Sequence, residues 1–130
     1  MAKVSFNNRN QVFYTSLKSA VDKYFELSQQ KKTGNFRLYF KSAVFILAAI
    51  GLYTTLLLVP LPILPVILIS LFLGFVLACI GFNVMHDANH GSYSSRKWVN
   101  GTLGLTLNAL GGNSFIWKQK HNIIHHTYTN

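Results

Sequence analysis

All five histidines of this 130-residue chain fall in its last third, in two short clusters. His86 and His90 lie in HDANH, and His121, His125 and His126 lie in HNIIHH. Imidazole is the commonest metal-binding side chain, and its ring nitrogens are available near neutral pH. On a helix, residues four apart share a face at about 5–6 Å, so His86 and His90 can address one ion. His121 and His125 repeat that spacing on a second helix. The helical period turns His126 roughly 100° further round, towards a neighbouring ion. A lone histidine is most often a structural residue, but five in this arrangement point to metal, and the layout suits two adjacent ions.

Ligand type alone leaves zinc, copper, iron and nickel open. HDANH is close to the zinc-protease pattern H-E-x-x-H, yet Asp87 stands where the general-base glutamate belongs. Di-iron carboxylate bundles need glutamate ligands and Glu-x-x-His motifs. The only acid near these clusters is Asp87, so that class is excluded.

The elements that must position the histidines follow from hydropathy and charge. Charged residues make up 12% of the chain and apolar ones 50%, lean in charge for a soluble domain. No charged residue occurs from Ser42 to Met85, and all three prolines (Pro60, Pro62, Pro65) punctuate that run. Segments 42–59 and 66–85 are therefore predicted as two helices of about 27 and 30 Å, matching a hydrocarbon core of about 30 Å. PLPILP forms the tight turn between them. Asn10 to Gln30 places Phe13, Leu17, Val21 and Tyr24 on one face, with Lys18, Asp22, Lys23 and Glu26 on the other. This is an amphipathic helix, ending near Gly34, suited to a headgroup region or to packing on the rest of the protein. Residues 98–117 are uncharged but rich in Asn, Thr and Gly, and read as an interfacial or re-entrant segment between Trp98 and Trp117. Gly91 after His90 suits a helix terminator. The lone Cys79 cannot form an intrachain disulfide and is expected as a small buried filler. The first 35 residues contain no signal-peptide apolar core.

Lysine and arginine number twelve against three acids, a net charge of +9. No base-reading motif accompanies that charge, so nucleic acid is not the expected partner. Eight basic residues precede the first apolar segment, none lies in the proline turn, and Arg96, Lys97, Lys118 and Lys120 follow the second. The positive-inside rule then puts both ends of the hairpin, and both histidine clusters, on the cytoplasmic side. The predicted architecture is an all-α integral membrane protein: an amphipathic N-terminal helix, a transmembrane helical hairpin, and interfacial helices carrying the two clusters, with the second in 118–130.

HDANHGSYS, followed about thirty residues later by WKQKHNIIHHTYTN, resembles the first two histidine boxes of the membrane fatty acid desaturases. The wording is nearest the front-end and linoleoyl-CoA desaturase-like branch, and the resemblance covers essentially the whole chain. It implies a non-haem centre of two iron ions at the cytoplasmic membrane face, where dioxygen serves to remove two hydrogens from an acyl chain and leave a cis double bond. His86, His90, His121, His125 and His126 are the iron ligands so implied, with Asp87, Asn89 and Asn122 as outer partners orienting imidazoles. The substrate is a fatty acyl-CoA or acyl-lipid, and a bacterial inner membrane is the expected location.

The family carries a third box, Gln or His followed shortly by His-His, after two further spans. Five imidazoles are too few for its two irons, so the chain is expected to be the N-terminal portion of a desaturase and inactive by itself. No histidine precedes the boxes, so no fused cytochrome b5 is expected; electrons would come from a separate cytochrome b5-type protein or ferredoxin. The rival readings are a histidine-box hydroxylase of alkanes or lipids, and an inactive truncated metal-binding hairpin.

Overall fold

A computed structural model of the protein describes residues 11–126. Lys3, Arg9, Asn10 and the tail of the second box, residues 127–130, lie outside the described residues. The described part is helical, in two compact units divided between Lys32 and Thr33.

The first unit is built on α1 (Gln11–Ser28), whose residues are all at least partly exposed. It ends at Gln29, which adopts a left-handed φ of +54°. Lys32 folds back to pair with Asp22 and to lie 5.9 Å over the Phe25 ring. The helix therefore stops earlier than the expected end near Gly34. Gly34 has a different task, in the second unit, where its N–H donates to the Tyr93 carbonyl at 3.0 Å. A Cβ there would stand 2.5 Å from that oxygen, so only glycine allows the approach.

In the second unit α2 runs Phe36–Leu58, opened by Asn35, whose side chain accepts from the Leu38 N–H. That cap explains why the helix starts six residues before the uncharged run and takes Arg37 and Lys41 into its first turns. After a turn at 59–62, α3 (Ile63–Ile80) begins directly behind Pro62. Pro65 falls in its first turn, where a missing N–H costs nothing, so the proline segment ends sooner than predicted. The helix continues without a break as far as Asn89, through a π-helical stretch (Gly81–Met85) into α4 (His86–Asn89). In that stretch the wider turn is bridged by Asn83, whose Nδ2 donates to the Cys79 carbonyl at 2.9 Å while its Oδ1 accepts from Lys41 Nζ at 2.7 Å. Cys79 itself is half-buried, more open than the filler role requires.

Phe36–Leu58 and Ile63–Asn89 are the two helices among the described residues that are long and apolar enough to cross a membrane. They pack side by side, yet Leu47, Leu57, Leu68, Leu71 and Phe75 each remain more than half exposed. The core is small: Ala49, Val76, Ile80, Val84, Ala88 and Tyr93. Beyond Gly91, whose φ of +74° fits the expected terminator, the polar segment breaks into α5 (Lys97–Gly104), α6 (Thr106–Ala109) and α7 (Ser114–Lys118). A second π-helical stretch, Gln119–His125, follows α7 directly. None of these short helices is long enough to cross a bilayer.

Candidate metal centre

His86 and His90 occupy the last turn of the long helix, placed by the continuous winding from Ile63 and stopped by Gly91. Their ring centroids lie 4.5 Å apart. His121 approaches from the second π stretch, 5.2 Å from the His86 ring and 5.0 Å from His90. One ring nitrogen from each of His86, His90 and His121 falls within 4.8 Å of the other two. Nitrogens on one ion stand about 2.0–2.1 Å from it, so these three donors fit a metal after a short closing movement. Residues 35 apart in the chain thus form one donor set.

The winding of the second box differs from the α-helix that spacing suggested. The His126 N–H bonds to the His121 carbonyl, five residues back. A π-helix bonds i to i+5, and the wider turn brings His126 round beside His121, at 5.0 Å, and within 5.1 Å of His90. His125 stacks on His121 at 5.1 Å and 26° but makes no ring contact with the first box among the described residues. Both His125 and His126 are exposed, whereas His86, His90 and His121 are half-buried.

Burial, and then the neighbouring imidazoles, lower the pKa values of His90 and His121 below the ordinary histidine value. Protonating one member of such a cluster costs desolvation and raises the charge beside the others. The lowered values favour neutral His90 and His121, the form that binds metal.

Of the residues expected around the imidazoles, Asp87 meets one: its Oδ1 lies 3.2 Å from His86 Nδ1. Asn89 and Asn122 hold main chain. Asn89 Nδ2 donates to the Gly104 carbonyl at 3.3 Å, and Asn122 Nδ2 donates to the Asn89 carbonyl at 3.0 Å. Asn100, which the sequence did not single out, is buried and clamps the loop after the first box: it accepts from Ser94 N–H and donates to the carbonyls of Ser94 and Gly91.

Trp117 takes a place that its membrane-interface assignment missed. Its ring stacks on His121 at 4.2 Å and 20°, and meets His86 and His90 edge-on at 5.6 and 5.5 Å. Its spacing of four from His121 was the available signal. Beside it opens a groove of about 320 Å³ lined by Leu77, Gly81, Phe82, Leu107, His86 and His121, among others. A larger groove of about 740 Å³ between α2, α3 and α6 shares Leu77 and Leu110 with it. Both grooves are lined mainly by apolar side chains, and the smaller one reaches His86 and His121.

A profile of the fatty acid desaturase family matches residues 61–130, more than half of the chain and both histidine boxes. The chain belongs to the fatty acid desaturase family. It is 36% identical over 129 residues to a protein of Arthrospira platensis named sn-1 linoleoyl-lipid 6-desaturase, covering 99% of this chain and 35% of that one. A protein of the same name from Synechocystis sp. is 39% identical over 119 residues, which is 91% of this chain and 33% of the relative. An acyl-lipid (7-3)-desaturase of Diacronema lutheri is 47% identical over 64 residues, 49% of this chain and 14% of the relative. These matches support the front-end, linoleoyl-type branch that the wording of the boxes suggested. The desaturase chain spans about a third of the length of the first two relatives. No solved structure matches it.

Proposed function

We propose that this chain supplies the first two histidine boxes of an acyl-lipid desaturase that introduces a cis double bond into a membrane-held fatty acyl chain. The observation that carries the reading is the convergence of His86, His90 and His121, with nitrogens within 4.8 Å, beside an apolar groove that His86 and His121 line. In this reading His86, His90 and His121, with His126 beside them and His125 turned outward, are ligands of a di-iron centre. The remaining ligands lie beyond these residues, and the 130 residues alone do not turn over. Bound iron would supply the activation of dioxygen; in balance, the acyl CH₂–CH₂ unit, dioxygen, two electrons and two protons give CH=CH and two waters.

The residues of the chain do the positioning. Trp117 and the His121 ring wall the groove, and Leu77, Phe82 and Leu107 exclude water along an acyl segment lying in it. Asp87 at His86 Nδ1 fixes the tautomer that leaves Nε2 free for metal. The apolar exteriors of α2 and of the long helix face lipid, and Arg37, Lys41, Arg96 and Lys97 hold their ends at the cytoplasmic surface of a bacterial inner membrane. Electrons arrive from a separate cytochrome b5-type protein or ferredoxin docking on that surface.

The test is expression of the full-length protein in a host with a defined lipid composition, followed by mass spectrometry of its fatty acids. A new cis double bond that vanishes on His86→Ala or His121→Ala supports the reading. A hydroxylated lipid in its place would transfer the chain to the hydroxylase chemistry, and neither product would refute both.

A further inference from the structure

The two histidine boxes are far apart in the chain, so something has to fix their spacing before any metal arrives. The side-chain hydrogen bond that crosses between them runs from Asn122 Nδ2 to the main-chain carbonyl of Asn89, at 3.0 Å. That carbonyl belongs to the last turn of the long helix, where no following N–H is available within the helix. Asn122 therefore caps the helix that carries His86 and His90 while sitting next to His121. Asn89 is 4% exposed, and its own Nδ2 reaches the Gly104 carbonyl. Its side chain lies so close to Gly104 that a Cβ there would stand 2.5 Å from Asn89 Oδ1.

We propose that Asn122 is a positioning residue: through the Asn89 carbonyl, with Gly104 as the floor on which Asn89 rests, it sets the distance between His121 and the His86–His90 pair. The inference rests on the metal-centre reading for its consequence, but the clip itself is made by protein atoms alone. Its energy follows from burial. Removing the donor leaves the Asn89 carbonyl, in a seam where Asn89 Oδ1 and Asn122 Oδ1 already have no partner, without its hydrogen bond. A buried acceptor left without its partner is costly, so the second box shifts to solvate it, and His121 moves with it.

Four variants of the full-length protein in detergent test this: Asn122→Leu, Asn122→Asp, Gly104→Ala and Gly101→Ala. The first two remove the donor with little change of volume. Gly104→Ala pushes Asn89 off its seat without touching Asn122. Gly101→Ala, on the same helix and with nothing within 4 Å of the added Cβ, is the control. Amide exchange of residues 119–126 in the metal-free protein is read first, then cobalt(II) affinity and the cobalt absorption spectrum. The expected result is faster exchange and a 10- to 100-fold weaker cobalt affinity in the first three, the range for groups that hold ligands in place, and no change in Gly101→Ala. Exchange and affinity like those of the unaltered protein in both Asn122 variants would overturn the proposal. So would equal loss in Gly101→Ala, or a global loss of helicity in all the variants, either of which makes the seam a matter of folding alone. Failure of the unaltered protein to bind cobalt, with exchange still accelerated in the variants, would refute the metal-centre reading and leave the clip standing.

Discussion

Replacing Trp117 by leucine should weaken metal binding without unfolding the protein. The indole lies nearly parallel to His121 at 4.2 Å and edge-on to His86 and His90. It thus restrains three imidazoles. An aromatic pair is worth about 0.5–1.5 kcal/mol beyond its burial. Leucine keeps most of the apolar contact but cannot stack, so about that much of the restraint on His121 is lost. At 1.4 kcal/mol per tenfold change, cobalt(II) affinity should fall about 2- to 12-fold. Trp117→Phe, which can still stack, should stay within about twofold of the unaltered protein. The assay is a cobalt titration of the full-length protein in detergent, followed by absorption, with far-ultraviolet circular dichroism to check helicity. Affinity unchanged in Trp117→Leu, or an equal loss in Trp117→Phe, would refute the claim that stacking presets the site.

Three further outcomes follow from the same geometry. Gly81 lines the groove, and a Cβ added there would meet only Leu110 Cδ1, at 4.0 Å; Gly81→Leu should fill the space beside His86 and cut desaturated product at least about tenfold, with iron content unchanged by metal analysis. Asn100→Leu should lower the melting temperature measurably, because it strips partners from Ser94 N–H and from the Ser94 and Gly91 carbonyls, each worth about 1–3 kcal/mol if left buried and unpaired; an unaltered melt would show that the loop rearranges freely. Acid should weaken both the metal-free fold and metal binding. His90 and His121 have lowered pKa values when folded, so the unfolded chain binds protons first as pH falls, and stability is complete above about 6.5 and declines as pH drops through the lowered native values. Melting and cobalt titrations from pH 8 to 5 check the direction; stability rising towards pH 5 would contradict it.

The helices and the residue types of the site were legible because each rests on a short-range signal. Apolar runs free of charge fixed the two long helices, and histidines four apart marked the boxes. Their ends moved for local reasons: the Asn35 cap drew α2 back to Phe36, and Pro65 proved compatible with the first turn of α3. What spacing could not show was the winding. An i, i+4 pattern assumes 3.6 residues per turn, and both boxes adjoin π-helical stretches where that assumption fails. The hydrogen bond that reveals it, from His126 to the His121 carbonyl, leaves no residue signature. The roles of Trp117, Asn100 and Asn122 were hidden for another reason: each depends on contacts made by the fold between different segments.

The π stretches also explain how one flat sequence pattern can serve a three-dimensional site. The His86 N–H bonds to the Gly81 carbonyl, five residues back, so the last turn of the long helix is rotated relative to an unbroken α-helix. The side chain of Asn83 donates to the carbonyl of Cys79 just before the wider turn, adding a polar partner within an apolar helix. At the second box the same winding swings His126 towards His90, while His125 stays stacked on His121 and exposed. A strictly α-helical second box would have placed His126 about 140° round from His121. The wider turn matters for the proposed centre, because it adds His126 to the rings around His90 and leaves His125 exposed on the outer rim of the cluster.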